Sequence, residues 1–396
     1  MVVGFAALLC LVTMQSLVGR SLPSSELGHA PLVVQRCLEA ATFLCIALAS
    51  SRLRVLASHR ALMGICGVAL VAEAAIEGAV IVGGASALVP MAHLAYSAVG
   101  SIAPSVLWMA WIELYARLDL RRMTVLFLAA NVLQALLSLV MSLQAPLLAS
   151  LVVIAVLPIV SICLLERARA SIEKEGACEA ERDNGDMSET RDPVGTRQTR
   201  FPLAPVCLMA TFTLANVFAR DVLPAEDRTW ATFGVLACLA VLAVALRRST
   251  MRFNLWPLCA IAFPLTLAGL FGLLLSAGIW GIPATLLTHT GDTLFGVFIA
   301  AVLCNVAFRY GTSALYLFGL AKATGSLASL AGAMLAFAGG PWERDKLVLL
   351  MAGMALALTV CYVALSWHRS DEITWGATDT ASPGARRHAH PTRGPR

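Results

Sequence analysis

The sequence predicts an all-α integral membrane protein with twelve transmembrane helices, arranged as two six-helix halves. Three observations lead to this fold class: an apolar composition, a series of apolar runs of bilayer length, and an alternating placement of arginine and lysine. Of the 396 residues, 59% are hydrophobic and 13% are charged, whereas soluble domains carry about 25% charged residues. Such a composition suits lipid, because each charge exposed to hydrocarbon is costly in free energy.

The apolar runs fall into two groups of six, and a helix needs about 20 such residues to cross a bilayer. We number the predicted spans 1 to 12. The first six cover residues 3–19, 32–50, 61–83, 87–115, 123–143 and 146–165, and the second six cover 203–220, 230–246, 255–277, 287–308, 312–338 and 346–367.

Four segments follow from this grouping: an N-terminal membrane half (1–165), a linker (166–202), a C-terminal membrane half (203–368) and a tail (369–396). The linker is rich in both acidic and basic residues and shows almost no apolar periodicity. It cannot bury a core, so it is predicted to be a disordered cytoplasmic segment, as is the tail with its Gly, Pro and Arg.

The basic residues predict the orientation. Of the 29 Lys and Arg residues, 22 fall in segments on one side of the predicted spans, five fall on the other side, and Arg36 and Lys322 lie within spans. Because Lys and Arg accumulate in cytoplasmic loops, both termini are predicted to be cytoplasmic, with the protein in the plasma membrane. Six tryptophans fall at or beside predicted helix ends, as in an interfacial aromatic belt: Trp111, Trp230, Trp256, Trp280, Trp342 and Trp367.

Ionisable side chains inside spans are the first candidates for functional residues, because lipid penalises them. Arg36 and Glu39 lie in span 2, and Glu73 and Glu77 lie on one face of span 3. One interpretation is a structural ion pair, Arg36 with Glu77, that holds the two spans together. A second is that one guanidinium cannot neutralise three carboxylates, so that one of them, with Glu73 as the candidate, carries a proton and either couples its movement to a ligand or senses pH. A third is that these groups are exposed to an outer vestibule.

Further charged residues lie in the second half and at the cytoplasmic helix ends. Lys322 in span 11 either extends to the inner surface or neutralises Asp292 or an anionic ligand. Four residues crowd the predicted inner ends of spans 4, 5 and 10, and they are either interfacial charges or the inner gate of a transporter: Glu113, Arg117, Arg121 and Arg309.

The two six-span groups, the long central loop and the basic loops after spans 2 and 8 resemble the major facilitator superfamily. The loop after span 2, ALASSRLRVLASHR, keeps Arg52 and Arg54 of that family's signature but lacks its aspartate and glycines, and ALRRSTMRFN after span 8 is also only basic. The resemblance implies that spans 1, 4, 7 and 10 line a central cavity. The polar residues expected to face it are Gln15, His93, Asn216, His289 and Asp292, with interhelical hydrogen bonding as the alternative for each.

Two stretches carry a second resemblance. WIELYARLDLRRMTVLF (111–127) and RYGTSALYLFGLAKATGSLASLAG (309–332) look like the twelve-span membrane domain of bacterial LuxR-type regulators. In those proteins a cytoplasmic helix-turn-helix follows the membrane domain, whereas the residues after 367 are too few and too rich in Gly and Pro to form one. This resemblance implies a membrane sensor without its DNA-binding module.

No enzyme signature is present: we find no glycine-rich phosphate loop, HExxH, GxSxG or metal-spaced Cys/His set. The sequence therefore predicts no enzyme activity, no cofactor, no metal site and no nucleic-acid partner, and leaves the oligomeric state open. Three functions stay open, with lipid and an unidentified small molecule as the expected partners. They are a secondary-transporter-like protein, coupled or not to protons, a membrane sensor, and a structural subunit.

Overall fold

A computed structural model describes residues 1–21, 30–53, 56–84, 86–118, 120–144, 147–183, 203–222, 236, 256–275, 281–310, 312–338 and 344–367. Nearly all of predicted span 8, the end of the predicted linker and the tail lie outside the described residues.

At each of the remaining eleven predicted spans, the described residues form a helix. The helices of the first half are Val2–Ser21, Ala30–Ala49, Arg60–Ile81, Val89–Tyr115, Leu120–Gln144 and Leu147–Asp183. Those of the second half are Leu203–Val222, Trp256–Leu275, Gly281–Tyr310, Ala314–Ala338 and Arg344–Trp367. We keep the predicted numbers for them, so these are spans 1 to 7 and 9 to 12. Short 3-10 turns at Leu56–Ser58 and Ser86–Leu88 precede spans 3 and 4.

Within the described residues, eight helices are long and apolar enough to cross a membrane, namely spans 2 to 6 and 10 to 12. Spans 1, 7 and 9 contribute shorter apolar helices. Large apolar side chains cover the outside of the bundle: Leu349 is 76% exposed, Val68 72% and Leu48 68%. Lipid does not penalise such exposure, because its tails are as apolar as the side chains. The chain is therefore a membrane protein of spanning helices.

We call described spans 1 to 6 the first half and described spans 7 and 9 to 12 the second half, and the two groups meet along a few helices. In the first half, span 1 packs on spans 4, 5 and 6, and span 4 packs on spans 2 and 3. In the second half, span 10 packs on spans 7 and 9, and span 12 packs on the same two. The halves join chiefly where span 2 packs on span 11, with smaller contacts of span 4 on span 11 and of span 5 on span 10.

The contact between spans 2 and 11 depends on a glycine. A β-carbon added at Gly319 would lie 2.7 Å from the carbonyl oxygen of Phe43 and 2.8 Å from Cβ of Ala47. Both distances are too short for real atoms, so only glycine allows the two backbones to come this close. Small residues are the usual device for close helix approach in membranes.

We expect Gly319→Val to lower the free energy of unfolding by about 1–3 kcal/mol, because the added atoms meet backbone that cannot move aside. Denaturation of the purified protein by SDS in mixed micelles measures this. The matched control is Gly353→Val in span 12, where an added β-carbon meets nothing within 4 Å. Equal stability of the two variants would contradict the close approach of spans 2 and 11.

One part of the predicted linker is helical, which corrects the prediction of disorder from residue 166. Span 6 continues to Asp183, about 18 residues beyond its predicted end. The reason is visible in two ion pairs: Arg60 at the start of span 3 meets Glu166 at 3.3 Å, and Arg169 meets Glu173 one turn further at 3.6 Å. Charged residues that favour helices, spaced four apart, extend a helix beyond its apolar segment.

Candidate functional site

A central cavity of about 400 Å³ lies between the two halves. Leu9 of span 1, Trp108 of span 4, and Phe127 and Asn131 of span 5 line it from the first half, and residues of spans 7, 10 and 11 line it from the second. All four spans that the resemblance assigned to the cavity contribute, and spans 5 and 11 are added. A cavity of this size at an interface between two bundles is typical of a small-molecule site.

Span 10 supplies a polar stripe to this cavity. Its lining residues include Thr285, Thr288, His289, Asp292 and Thr293, which recur at intervals of three and four and so lie on one helical face. Nδ2 of Asn216 in span 7 donates a hydrogen bond of 3.0 Å to Oδ1 of Asp292. Three of the residues predicted to face a cavity, Asn216, His289 and Asp292, therefore come together in it.

Lys322 of span 11 also lines the cavity. Its Nζ lies 4.3 Å from the centroid of the Trp108 ring, so the cation rests on an aromatic face from the opposite half. This placement corrects the expectation that Lys322 extends to the inner surface. It forms no ion pair with Asp292 in the described part of the chain, although the two charges are close enough to interact electrostatically.

Aromatic rings close the side of the cavity near Lys322. The Trp108 ring packs against Phe318 of span 11 with centroids 5.8 Å apart and against Phe43 of span 2 at 6.2 Å. Sequence reasoning missed Trp108 and the threonines of span 10. The position of Trp108 well inside its span, rather than at an end, and the three–four spacing of the threonines were the available signals.

Two residues predicted to face the cavity do not line it. Gln15 is 3% exposed and its Nε2 donates a 3.1 Å hydrogen bond to Oε2 of Glu73, so it faces span 3 rather than the second half. His93 of span 4 is half-buried and lies outside the cavity lining. Gln15 is turned toward span 3, whereas His93 lies in the first turns of span 4, far along the helix from the cavity-lining Trp108.

The predicted ion pair between Arg36 and Glu77 is wrong. Nη1 of Arg36 lies 2.6 Å from Oε2 of Glu39, three residues further along the same helix. Spans 2 and 3 each pack against span 4, which separates them and keeps the guanidinium from reaching Glu77. Arg36 and Glu39 lie outside the cavity lining.

Glu73 and Glu77 form a carboxylate pair between spans 1, 3 and 4. They are 1% and 0% exposed, and span 4 approaches so closely that a β-carbon on Gly100 would lie 2.8 Å from Oε1 of Glu73. That oxygen and both carboxylate oxygens of Glu77 have no hydrogen-bond partner among the described residues. The pair lies outside the central cavity.

Of the four inner-gate candidates, Glu113 and Arg117 contact each other. Glu113 at the end of span 4 is 8% exposed; its Oε2 accepts hydrogen bonds from the backbone N–H groups of Leu56 at 2.8 Å and Ala57 at 3.3 Å. Its Oε1 accepts from Nη2 of Arg117 at 3.3 Å. Arg121 is exposed, and Arg309 lies in span 10, with its side chain outside the described residues.

These contacts border a second cavity of about 340 Å³ at the end of the bundle predicted to be cytoplasmic. Its lining includes Ser50 and Ser51 after span 2, Glu113 at the end of span 4, Arg117 just after span 4, and Ser313 before span 11. Both halves thus contribute to this end, and the Glu113 carboxylate holds the loop between spans 2 and 3 against span 4.

Comparison with solved structures identifies transporters with the same fold. A bacterial homologue of the iron transporter ferroportin, in an outward-facing state with soaked iron, matches with a TM-score of 0.63 at 13% identity, over 93% of this chain and 99% of that chain. The human organic anion transporter MFSD10 (TETRAN) matches with a TM-score of 0.59 at 13% identity, over 91% and 98%. These likenesses show the fold alone, which this chain shares with the ferroportin homologue and with MFSD10.

No protein-family model matches the sequence, and no curated protein sequence does. The structural matches give no support to the resemblance to the membrane domain of LuxR-type regulators.

Proposed function

We propose that the chain is a secondary-transporter-like protein that moves a small molecule between its two halves. The observation that carries this proposal is the central cavity, which both halves line and which holds Asn216, His289, Asp292 and Lys322. Polar and charged groups inside a membrane are costly and mark ligand or ion pathways. In transporters built from two repeated halves, the substrate site lies at the interface between them.

The proposal includes the finer architecture that the sequence predicts. Twelve spans in two groups of six, with both termini in the cytoplasm and the protein in the plasma membrane, place the end with Glu113 and Arg117 on the inner side. The fold shared with the ferroportin homologue and with MFSD10 supports the two-half arrangement.

We further infer that the pair formed by Glu73 and Glu77 binds the coupling proton. Two carboxylates four residues apart on one face, with no ion pair to either in the described part of the chain, cannot both be charged in so apolar a setting. Tyr96 of span 4 lies within electrostatic range of both carboxylates and of Arg36, while Arg36 is already paired with Glu39. Gln15 connects the pair to span 1, one of the spans lining the cavity.

The test is transport by the purified full-length protein in liposomes loaded with a pH-sensitive dye. Candidate compounds are added outside, one from each charge class. An iron salt and an organic anion are included, because the structurally similar proteins are a homologue of an iron transporter and an organic anion transporter. We expect one class to enter and to change the internal pH. Asp292→Asn should reduce entry of the compound, because it removes a cavity charge.

Glu73→Gln separates coupling from binding. It keeps the shape of the side chain and the contact with Gln15, but it cannot release a proton. We expect entry driven by a pH gradient to be lost while exchange of labelled for unlabelled compound continues. If liposomes with the protein take up no compound faster than protein-free liposomes, the proposed transport is contradicted. A compound that binds to the protein but does not enter the liposomes would favour the alternative of a membrane sensor.

A further inference from the structure

Lys322 lines the central cavity, and no carboxylate of the described residues forms an ion pair with it. Within the described ranges its ammonium makes no hydrogen bond and no ion pair, and its close contact is the ring of Trp108, 4.3 Å away. The carboxylates of Glu39 and Asp292 act on it only at longer range. Glu39 is bound to Arg36 at 2.6 Å, and Asp292 accepts the hydrogen bond from Asn216.

An ammonium so far from either helix end is costly unless an anion compensates it. A cation–π contact contributes roughly 0.5–2 kcal/mol, which is well below the cost of removing a charge from water, several kcal/mol even after relaxation. No described carboxylate compensates this ammonium at contact distance, and the cavity beside Lys322 is where an anion can enter.

The surroundings of Lys322 restrict what that anion is. Trp108 and Phe318 pack together beside it, and Phe127 of span 5 and Phe295 of span 10 also line the cavity. Aromatic faces favour an apolar or aromatic body. The Asp292 carboxylate in the same cavity repels a second negative charge, so a single anionic group fits better than two.

We propose that the central cavity binds an organic monoanion, whose anionic group pairs with Lys322 and whose aromatic or apolar body packs between the rings of Trp108, Phe127 and Phe318. This inference rests on the proposed function for its physiological meaning, since it names the substrate class of the same cavity. The binding itself is a separate property and can be measured without transport.

The experiment compares three probes of one shape by calorimetric titration of the purified full-length protein in detergent, with protein-free micelles as the blank. They are 2-naphthoate, which is anionic, 2-naphthamide, which is neutral, and 2-naphthylmethylammonium, which is cationic. We expect 2-naphthoate to bind at least about tenfold more tightly than the other two, because a desolvated charge pair contributes more than a neutral contact. Equal affinities, a preference for the cation, or no binding of 2-naphthoate would overturn the proposal.

Variants assign the preference to Lys322. Lys322→Gln should remove the tenfold advantage of 2-naphthoate over 2-naphthamide. Lys322→Arg keeps the charge and should keep the advantage. Lys346→Gln, an exposed lysine at the start of span 12, is the matched control and should behave as the wild type. An advantage that survives Lys322→Gln would overturn the assignment, and circular dichroism verifies that each variant is folded.

Failure of this inference and failure of the proposed function give different results. Binding of 2-naphthoate without its entry into liposomes would contradict the proposed transport and support the anion site. Transport of another compound, with no preference for the anionic probe in binding, would contradict the anion site and support the proposed transport.

Discussion

Replacement of Trp111 by alanine is expected to destabilise the protein by about 3–5 kcal/mol, the usual cost of deleting a fully buried large aromatic side chain. Trp111 is 0% exposed, and its Nε1 donates a 3.0 Å hydrogen bond to Oγ of Ser161. That hydroxyl in turn donates to the carbonyl oxygen of Gly4 at 2.9 Å. One side chain of span 4 therefore joins span 6 and span 1, and its loss leaves a large cavity among the three helices.

The free energy of unfolding in mixed micelles, followed by circular dichroism during an SDS titration, measures the loss. Trp111→Phe keeps a ring against Phe5 and Tyr115, which lie 6.2 and 6.4 Å away between centroids. It removes the hydrogen bond and part of the buried ring volume, so a smaller loss than for alanine is expected. Leu349→Ala, at a side chain that is 76% exposed, is the control for a lipid-facing position. A cost for Trp111→Ala no larger than for Leu349→Ala would show that Trp111 faces lipid.

The second large effect is expected at Glu113. Glu113→Ala removes the acceptor of the Leu56 and Ala57 N–H groups, and these residues are only 1% and 2% exposed. A buried donor left without a partner costs about 1–3 kcal/mol, so losing the acceptor of two should destabilise the loop between spans 2 and 3 by about 2–6 kcal/mol. In a transporter, this would also loosen the predicted cytoplasmic end around the second cavity.

Hydrogen exchange followed by mass spectrometry reports on those two amides directly, and they should exchange much faster in Glu113→Ala than in the wild type. Arg117→Gln is the matched control, because the Arg117 side chain is 35% exposed and a partly exposed ion pair contributes little, about 0–1 kcal/mol. Unchanged protection of the loop in Glu113→Ala would contradict the role of this carboxylate.

Much of the fold could be predicted from the sequence because lipid is a simple solvent for a helix. Any run of about 20 apolar residues that satisfies its own backbone can cross, and eleven predicted spans coincide with described helices. The end of span 6 was mispredicted because the apolar pattern stops there while the helix continues through ion pairs such as Arg169 with Glu173.

The candidate site was predictable only in part. Asn216, His289, Asp292 and Lys322 were identified as costly polar groups within spans, and the fold gathers them in one cavity. The contact partners of the charged side chains could not be predicted from hydropathy: Arg36 forms an ion pair within its own helix, and the Lys322 ammonium contacts the ring of Trp108. Trp111, expected in the interfacial belt, is instead fully buried.

The sequence by itself determined that this chain is a bundle of membrane-spanning helices, because hydropathy and helix length are properties of each segment alone. Only the tertiary structure decided which polar side chains meet, and the reason is geometric. A helix turns by about 100° per residue, so the neighbour of each side chain depends on how the helices are rotated and which one lies between them, as span 4 lies between spans 2 and 3.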